Sequence, residues 1–348
     1  MNKPTEPGDI AQSVLVPEWQ RTAYERRVTH VDSWGHVRAL SGWKRERIIE
    51  IAETAGRYYE PFDVRIVGKE KWRHIDNPQG ELRALQTGIQ RRILRFVPMP
   101  EYIVGGVPGR SVRDHARVHS GNPVAVTIDL RNCFPSITHR DVFRAFAYGL
   151  GYRNDIANAL TKITTFCGRV PQGAPTSTMI ANLALREMHD AIAEHAADHG
   201  VAYSAWIDDL TLSGRNPDHL IPRVLEIIRE FGYAVSWEKI KVMRGWREPV
   251  VVVGAVVNNA ISASRQRRGD IEREILALSS RAQVTQAQLN SVRGKIAWVS
   301  GLREPQGARL ERLASEMLPV TGVAGERPIR VEYRRCARAR RHACKRAG

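Results

Sequence analysis

The chain has 348 residues, with 53 lysines and arginines against 37 aspartates and glutamates, a formal net charge of +16. That length supplies a core without covalent staples, and the lack of any apolar run near the ~18 residues a membrane span needs leaves a polyanion, nucleic acid first, as the favoured partner. Cys133, Cys167, Cys336 and Cys344 show no CxxC spacing, His342 between the last two completes no zinc pattern, and MNKPTEPGDI lacks a secretory apolar core, which reads as a cytoplasmic chain with reduced thiols.

Residues 1–60 form an N-terminal helical extension on this reading: a stretch mixing proline, glycine and charge, then WKRERIIEIAETAGRYY (43–59) with apolar residues at helical spacing. FDVRIVGKEKWRHIDNP (62–78) alternates and breaks at Asn77-Pro78 as a strand or hairpin does, and QGELRALQTGIQRRILRFV (79–97) is a basic amphipathic helix. PVAVTIDLRNCF (123–134) is a short buried strand ending in an aspartate, and THRDVFRAFAYGLG (138–151) is a helix capped by Thr138. Beyond PQGAPTS, TMIANLALREMHDAIAEHAADHG (178–200) reads as one long helix stopped by Gly200. AYSAWIDDLTLSG (202–214) alternates like a half-buried strand yet carries Asp208 and Asp209 side by side. Then come a helix, HLIPRVLEIIREFGY (219–233), and a β-forming run, PVVVVGAVVN (249–258). The pattern over 61–264 is α+β with an antiparallel sheet, that over 265–320 is helical, and the basic tail 321–348 is either disordered or an RNA-contacting helix.

Asp129 at one strand end and Asp208-Asp209 on another would bring three carboxylates to one end of a sheet. Hard oxygen donors in that number suit Mg²⁺, and a pair of ions about 3.5–4 Å apart serves phosphoryl transfer by steadying both the attacking and the leaving oxygen. Bound cations would offset the repulsion between adjacent aspartates; a solvated acidic turn is the plainer alternative.

Three segments, IDLRNCFPSIT (128–138), PQGAPTSTMIANL (171–183) and AWIDDLTLSG (205–214), in this order and spacing, resemble the palm motifs of reverse transcriptases. KWRHIDNPQGELRALQTGIQRRIL (71–94), GRSVRDHARVHSG (109–121), SWEKIKVMR (236–244), VVGAVVN (252–258) and LNSVRGKIAWVSGL (289–302) resemble the retron and group II-like branch of that family. The likeness runs over about 60–305 and implies a right-hand polymerase, with fingers and palm over 61–264 and a helical thumb over 265–320. It implies that Asp129, Asp208 and Asp209 bind two Mg²⁺ ions, with Mn²⁺ as substitute, Leu130 adding its backbone. Phe134 would crowd a ribose 2′-hydroxyl, Gln172 and Gly173 would lie along the incoming nucleotide, Arg73 with Lys69 or Lys71 would clamp its triphosphate, and Lys239 would stand as the palm lysine. Nucleic-acid contacts are expected at Arg110, His119, Trp206, Lys295, Arg334 and Arg335, while Trp246 and Trp298, among apolar neighbours, are expected to be packed. The chain departs from the branch at Trp206-Ile207, where most members read Tyr-Ala, at Asp114-His115 in the Asn-Ala-x-x-His element and at Val253 in the Val-Thr-Gly element.

The function so implied is RNA-directed DNA synthesis from dNTPs by a retron enzyme. Such an enzyme copies part of its own structured noncoding RNA, of the msr–msd type, into a short single-stranded DNA (msDNA) branched to that RNA, in defence against phage. An effector or toxin protein would be a further partner, and a membrane would not. The alternatives are a defence-associated or group II-like reverse transcriptase without branched priming, and an inactive polymerase scaffold that binds nucleic acid.

Overall fold

The computed structural model describes residues 31–66 and 72–319 and the backbone of 331–335. Helix α1 (Trp34–Ser41) starts at Ser33, whose side chain accepts from the His36 amide, and α2 (Arg45–Thr54) buries Ile48, Ile51 and Ala52 along one face. Strands β1 (Phe62–Ile66) and β2 (Trp72–Ile75) pair antiparallel, as their alternation predicts. In α3 (Gly80–Arg92) the buried Leu82, Leu85 and Ile89 recur at helical spacing. The buried Gln86 amide among them donates to the Tyr59 hydroxyl at 3.0 Å and the Ile163 carbonyl at 2.8 Å, tying α3 to α7 (Asn154–Thr164).

The central sheet has the order β4-β5-β3-β6, all neighbours antiparallel, built from β3 (Val124–Asp129), β4 (Ala202–Trp206), β5 (Asp209–Gly214) and β6 (Lys241–Arg244). Alternation gives it two unlike faces. Val126, Ile128, Tyr203, Ala205, Leu210 and Leu212 point into the main core, against Met179 and Ile180 of α8 (Ser177–Ala184), Met188 and Ile192 of α9 (Arg186–Asp198), and Val224 and Ile228 of α10 (Ile221–Glu230). The other face carries Thr127, Asp129, Ser204, Asp209, Thr211 and Ser213, and α4 (Val112–His119) lies across part of it.

Several elements depart from the expectation. Residues 178–200 make two helices, α8 and α9, interrupted at the fully buried Leu185 (φ −85°, ψ −4°), and both pack on the main core. After α5 (Cys133–Ser136), helix α6 (His139–Arg144) begins at a capping box of Thr138 and Asp141 and widens into one π turn over Ala145–Gly149. The run 249–258 folds back on itself: β7 (Val251–Val252) and β8 (Ala255–Val256) flank Val253 and Gly254, whose φ of 46° and 82° are both positive, as a two-residue type I′ turn requires. With β9 (Ser262–Ala263) this small sheet shares a second core with α11 (Arg265–Ser279), α12 (Gln286–Leu302) and α13 (Glu304–Met317). Hydrophobic continuity therefore runs across residue 264.

Of the basic tail, 331–335 is neither disordered nor helical. It forms β10 (Val331–Arg335), antiparallel to β1 on the side away from β2, with Ile66 opposite Val331 and Phe62 opposite Arg335. An edge strand offers unpaired backbone donors and acceptors, and a segment with Val331 and Tyr333 suits that place. The rest of the tail, and residues 1–30 of the N-terminal extension, lie outside the described residues. Among the described residues no helix is long and apolar enough to cross a membrane.

Helix α12 starts at a capping box in which the Thr285 side chain accepts from the Gln288 amide and the Gln288 side chain accepts from the Thr285 amide at 2.8 Å. Thr285→Ala is expected to destabilise this helix by about 1 kcal/mol, read as faster amide exchange in the first turn of α12.

Candidate active site

The β3–β5 register sets Asp129 directly opposite Asp209 at the open end of the polar face, and a two-residue turn, Ile207-Asp208, joins β4 to β5 beside them. The Leu130 amide donates to the Asp208 carbonyl at 2.9 Å, which ties the start of the segment after β3 to the turn. Asp129 is held on two sides: its Oδ1 accepts from the Ser236 hydroxyl at 2.9 Å and from the Lys239 ammonium at 2.6 Å, and its carbonyl accepts from the Ser236 amide at 2.9 Å. Burial, then the charges of Asp208 and Asp129 and a hydrogen bond with Asp129, push the Asp209 carboxyl up to about 7. Asp208 is raised too, mainly by burial and then by Asp129, against the opposing pull of Lys239 and Arg73. Three acidic groups thus compete for too little positive charge.

The donor chemistry fits Mg²⁺: hard carboxylate oxygens, crowded enough that one is held close to protonation. Among the described residues no three carboxylate, histidine or cysteine side chains are arranged to hold an ion as they stand. Here the Lys239 ammonium is the counter-charge on Asp129.

Across from the carboxylates, the end of β2 is stitched to the loop of Gln172 and Gly173. Asp76, 2% exposed, accepts from the Gln172 amide at 3.1 Å, its own amide donates to the Gln172 carbonyl at 2.8 Å, and His74 Nε2 lies 3.1 Å from its carboxylate. Gly173 has φ +119°, and a Cβ there would sit 2.8 Å from the Ile75 side chain. This seam fixes Arg73, exposed on β2, on the side from which its charge reaches Asp208. Phe134 is half-buried on α5 against the main core. Lys69 and Lys71 lie outside the described residues. Sequence reasoning passed over Asp76 and Ser236; the available signals were an acid closing the β2 segment before Asn77-Pro78 and the serine that opens SWEKIK, three residues before Lys239.

The expected nucleic-acid contacts divide. His119 is corrected: it is fully buried, its ring nitrogens bonded to the hydroxyls of Ser213 at 2.7 Å and Ser204 at 2.8 Å. His115, one helical turn earlier, bonds the Ser204 hydroxyl at 2.8 Å. Hydroxyls both donate and accept, so they satisfy neutral imidazoles, and α4 seals the polar face where it is buried. Arg110 is also corrected: its guanidinium donates to the backbone carbonyls of Met99 (2.6 Å), Pro100 and Ile103, which is a structural use. Lys295 is neutralised by Glu274 at 2.5 Å, an ion pair between α12 and α11 rather than a charge held open for phosphate. Trp206 is half-buried, edge-on to His115 at 6.0 Å, beside the carboxylates. Trp298 is packed, with Arg267 over its ring at 4.9 Å, but Trp246 is 64% exposed, against expectation. Arg334 and Arg335 stand opposite Asp63 and Phe62 in the β1–β10 register.

A family model described as reverse transcriptase (RNA-dependent DNA polymerase) matches residues 64–269. The chain belongs to the reverse transcriptase family, the RNA-directed DNA polymerases, and has the α+β right-hand fold of that family. It is similar to curated reverse transcriptases of the retron type. It is 25% identical over 307 residues to the Retron Se72 reverse transcriptase of Salmonella heidelberg, covering 84% of this chain and 81% of the relative. It is 29% identical over 269 residues to the Retron Ec86 reverse transcriptase of Escherichia coli, covering 76% and 82%. Among solved structures, a foamy viral protease–reverse transcriptase in complex with double-stranded DNA is similar at 16% identity and TM-score 0.42, over 73% of this chain and 42% of that one. The chain therefore spans less than half the length of that structure.

Burial pushes His115 down to about 4 and His119 and His189 to about 3. Unfolded histidines titrate near 6.5, so on acidification the unfolded chain takes up protons first. Their contribution is complete above pH ~6.5 and falls with pH below it, by about 1.4 kcal/mol per unit for each ring, until the folded values are reached. Urea midpoints are expected to drop between pH 7 and 5, and His119→Gln, one titrating ring fewer, to show a shallower drop.

Proposed function

We propose that this reverse transcriptase serves a retron. It would copy part of a structured noncoding RNA of the msr–msd type into a short single-stranded DNA branched to that RNA, as one component of anti-phage defence with an effector protein. The observation that carries polymerase chemistry at this site is the facing pair Asp129 and Asp209 at the open end of the polar face, with Asp208 in the adjoining turn. What supports the retron reading is the similarity to two retron reverse transcriptases over three quarters or more of the chain.

On this reading Asp129, Asp208 and Asp209, with the Leu130 carbonyl, hold two Mg²⁺ ions, which Mn²⁺ can replace. When bound, the metal makes the primer hydroxyl a better nucleophile and steadies the leaving pyrophosphate. Ser236 fixes the Asp129 carboxylate, so that its free oxygen keeps one direction. Lys239, which donates to Asp129 here, would offer its ammonium to the triphosphate where cations neutralise the carboxylates. Arg73 offers that triphosphate a planar fork from the fingers, joined by Lys69 or Lys71. Gln172 and Gly173 line the nucleotide, with Asp76 holding their loop to the fingers. Phe134 crowds the ribose 2′ position and so favours dNTPs. Trp206 lies along the primer end, and the strand holding Arg334 and Arg335 borders the fingers, where RNA phosphates pass.

With Mg²⁺, dNTPs and an oligonucleotide primer on an RNA template, the protein is expected to extend the primer, and Asp208→Asn/Asp209→Asn to fall below about one thousandth of that rate. Equal incorporation by both proteins would overturn the assignment. RNA that co-purifies from the native host is expected to carry DNA through a 2′,5′ branch, released by debranching enzyme and read by sequencing. RNA without attached DNA would point to a reverse transcriptase with another mode of priming.

A further inference from the structure

The turn that carries Asp208 rests against residues 102–106. Ile207, first residue of that turn, has φ 60°, in the left-handed region that a β-branched side chain seldom occupies, so something outside the turn must hold it. The hydrogen bonds show what does. Ala205, at the end of β4, donates its amide to the Tyr102 carbonyl at 2.7 Å, and its carbonyl accepts from the amides of Val104 at 2.9 Å and Gly105 at 3.2 Å. Residues 102–105 thus back the end of β4, with Ile103 in a single parallel bridge to Ala205.

At Gly105 the approach closes completely. A Cβ on this buried residue would lie 2.6 Å from the Ile207 nitrogen and 2.7 Å from the Trp206 Cα and carbonyl carbon, all main-chain atoms with no side chain to swing aside. Its φ is not in the left-handed region, so glycine is required for room and not for backbone freedom. The segment is itself anchored: the buried Asn182 side chain of α8 donates to the Gly105 carbonyl at 2.8 Å, and Arg110 gathers the carbonyls of Met99, Pro100 and Ile103.

We infer that Gly105 is a positioning residue of the polymerase site: by letting the backing segment touch the main chain of Trp206 and Ile207, it sets the height of the catalytic turn, and with it the placement of Asp208 and Asp209. The inference rests on the polymerase reading of those carboxylates. A methyl group at residue 105 would have to move about 1 Å from those main-chain atoms to reach ordinary van der Waals distance, and misplacement of about 1 Å in a reacting constellation is worth about a hundredfold in rate.

The test compares Gly105→Ala with Gly106→Ala in the full chain. Gly106 has φ +72° and a Cβ there would strike the Thr178 side chain, so it reports general damage to the same segment without touching the turn. Single-nucleotide addition on an RNA template, duplex affinity by fluorescence anisotropy, and amide exchange of a peptide spanning 203–210 are measured for each. Gly105→Ala is expected to lose about a hundredfold in kcat with KM for dNTP and duplex affinity within about threefold of wild type, and to exchange faster over 203–210. Gly106→Ala is expected to keep kcat within about tenfold of wild type. A kcat for Gly105→Ala within threefold of wild type, equal losses in the two variants, or unchanged exchange over 203–210 would overturn the inference. Should the wild type itself add no nucleotide, the polymerase reading fails, and the exchange comparison alone decides whether Gly105 sets the turn.

Discussion

The pairing of β3 with β5 is the constraint from which the rest follows. Because strand side chains alternate, the register that sets Asp129 against Asp209 also sets Ile128 against Leu210 and Val126 against Leu212 on the opposite face. A slip of one residue would bury the carboxylates under α8 and α9 and turn the leucines to the polar side. The core and the acidic site are therefore specified by one alignment. Hydrophobic burial on one face holds like charges together on the other.

That polar face creates a second requirement. Hydroxyl-bearing strand residues covered by a helix must find partners, and α4 supplies them through His115 and His119, kept neutral by burial. The helix stops short of the carboxylates, so one end of the face is sealed with neutral groups and the other is left for cations. Asp129 is steadied from the β6 side by Ser236 and Lys239, and the Gln172 loop from the fingers by Asp76. Each tie fixes one bank of the cleft without joining the two.

Much of this was legible in the sequence where local pattern and tertiary structure agree. The alternation around Asp129 and Asp208-Asp209, the Thr138 cap and the apolar spacing of α3 are local signals, and each element formed close to its expected place. The misreadings share a cause. His119 and Arg110 belong to a motif that looks like surface chemistry, yet one fills a buried hydroxyl network and the other collects carbonyls from residues 99–103, and neither partner set is visible from spacing. The break at Leu185 and the fold-back at Val253-Gly254 answer to packing, since nothing in TMIANLALREMHD interrupts helical spacing. Ser236 and Asp76 were missed because their partners are 107 and 96 residues away. Residue type suggested the carboxylate site; only contact could reveal what braces it.

The chain passes from the β1–β2 pair through the central sheet to the helices of the second core, and then β10 returns to lie along β1. An open hand so connected becomes a closed circuit. Any displacement of the β1–β2 pair is then shared with β10, which follows α13 in the chain, so two segments far apart in sequence move as one ladder. The antiparallel register also sets Arg335 against Phe62, at the start of the strand that pairs with the one carrying Arg73.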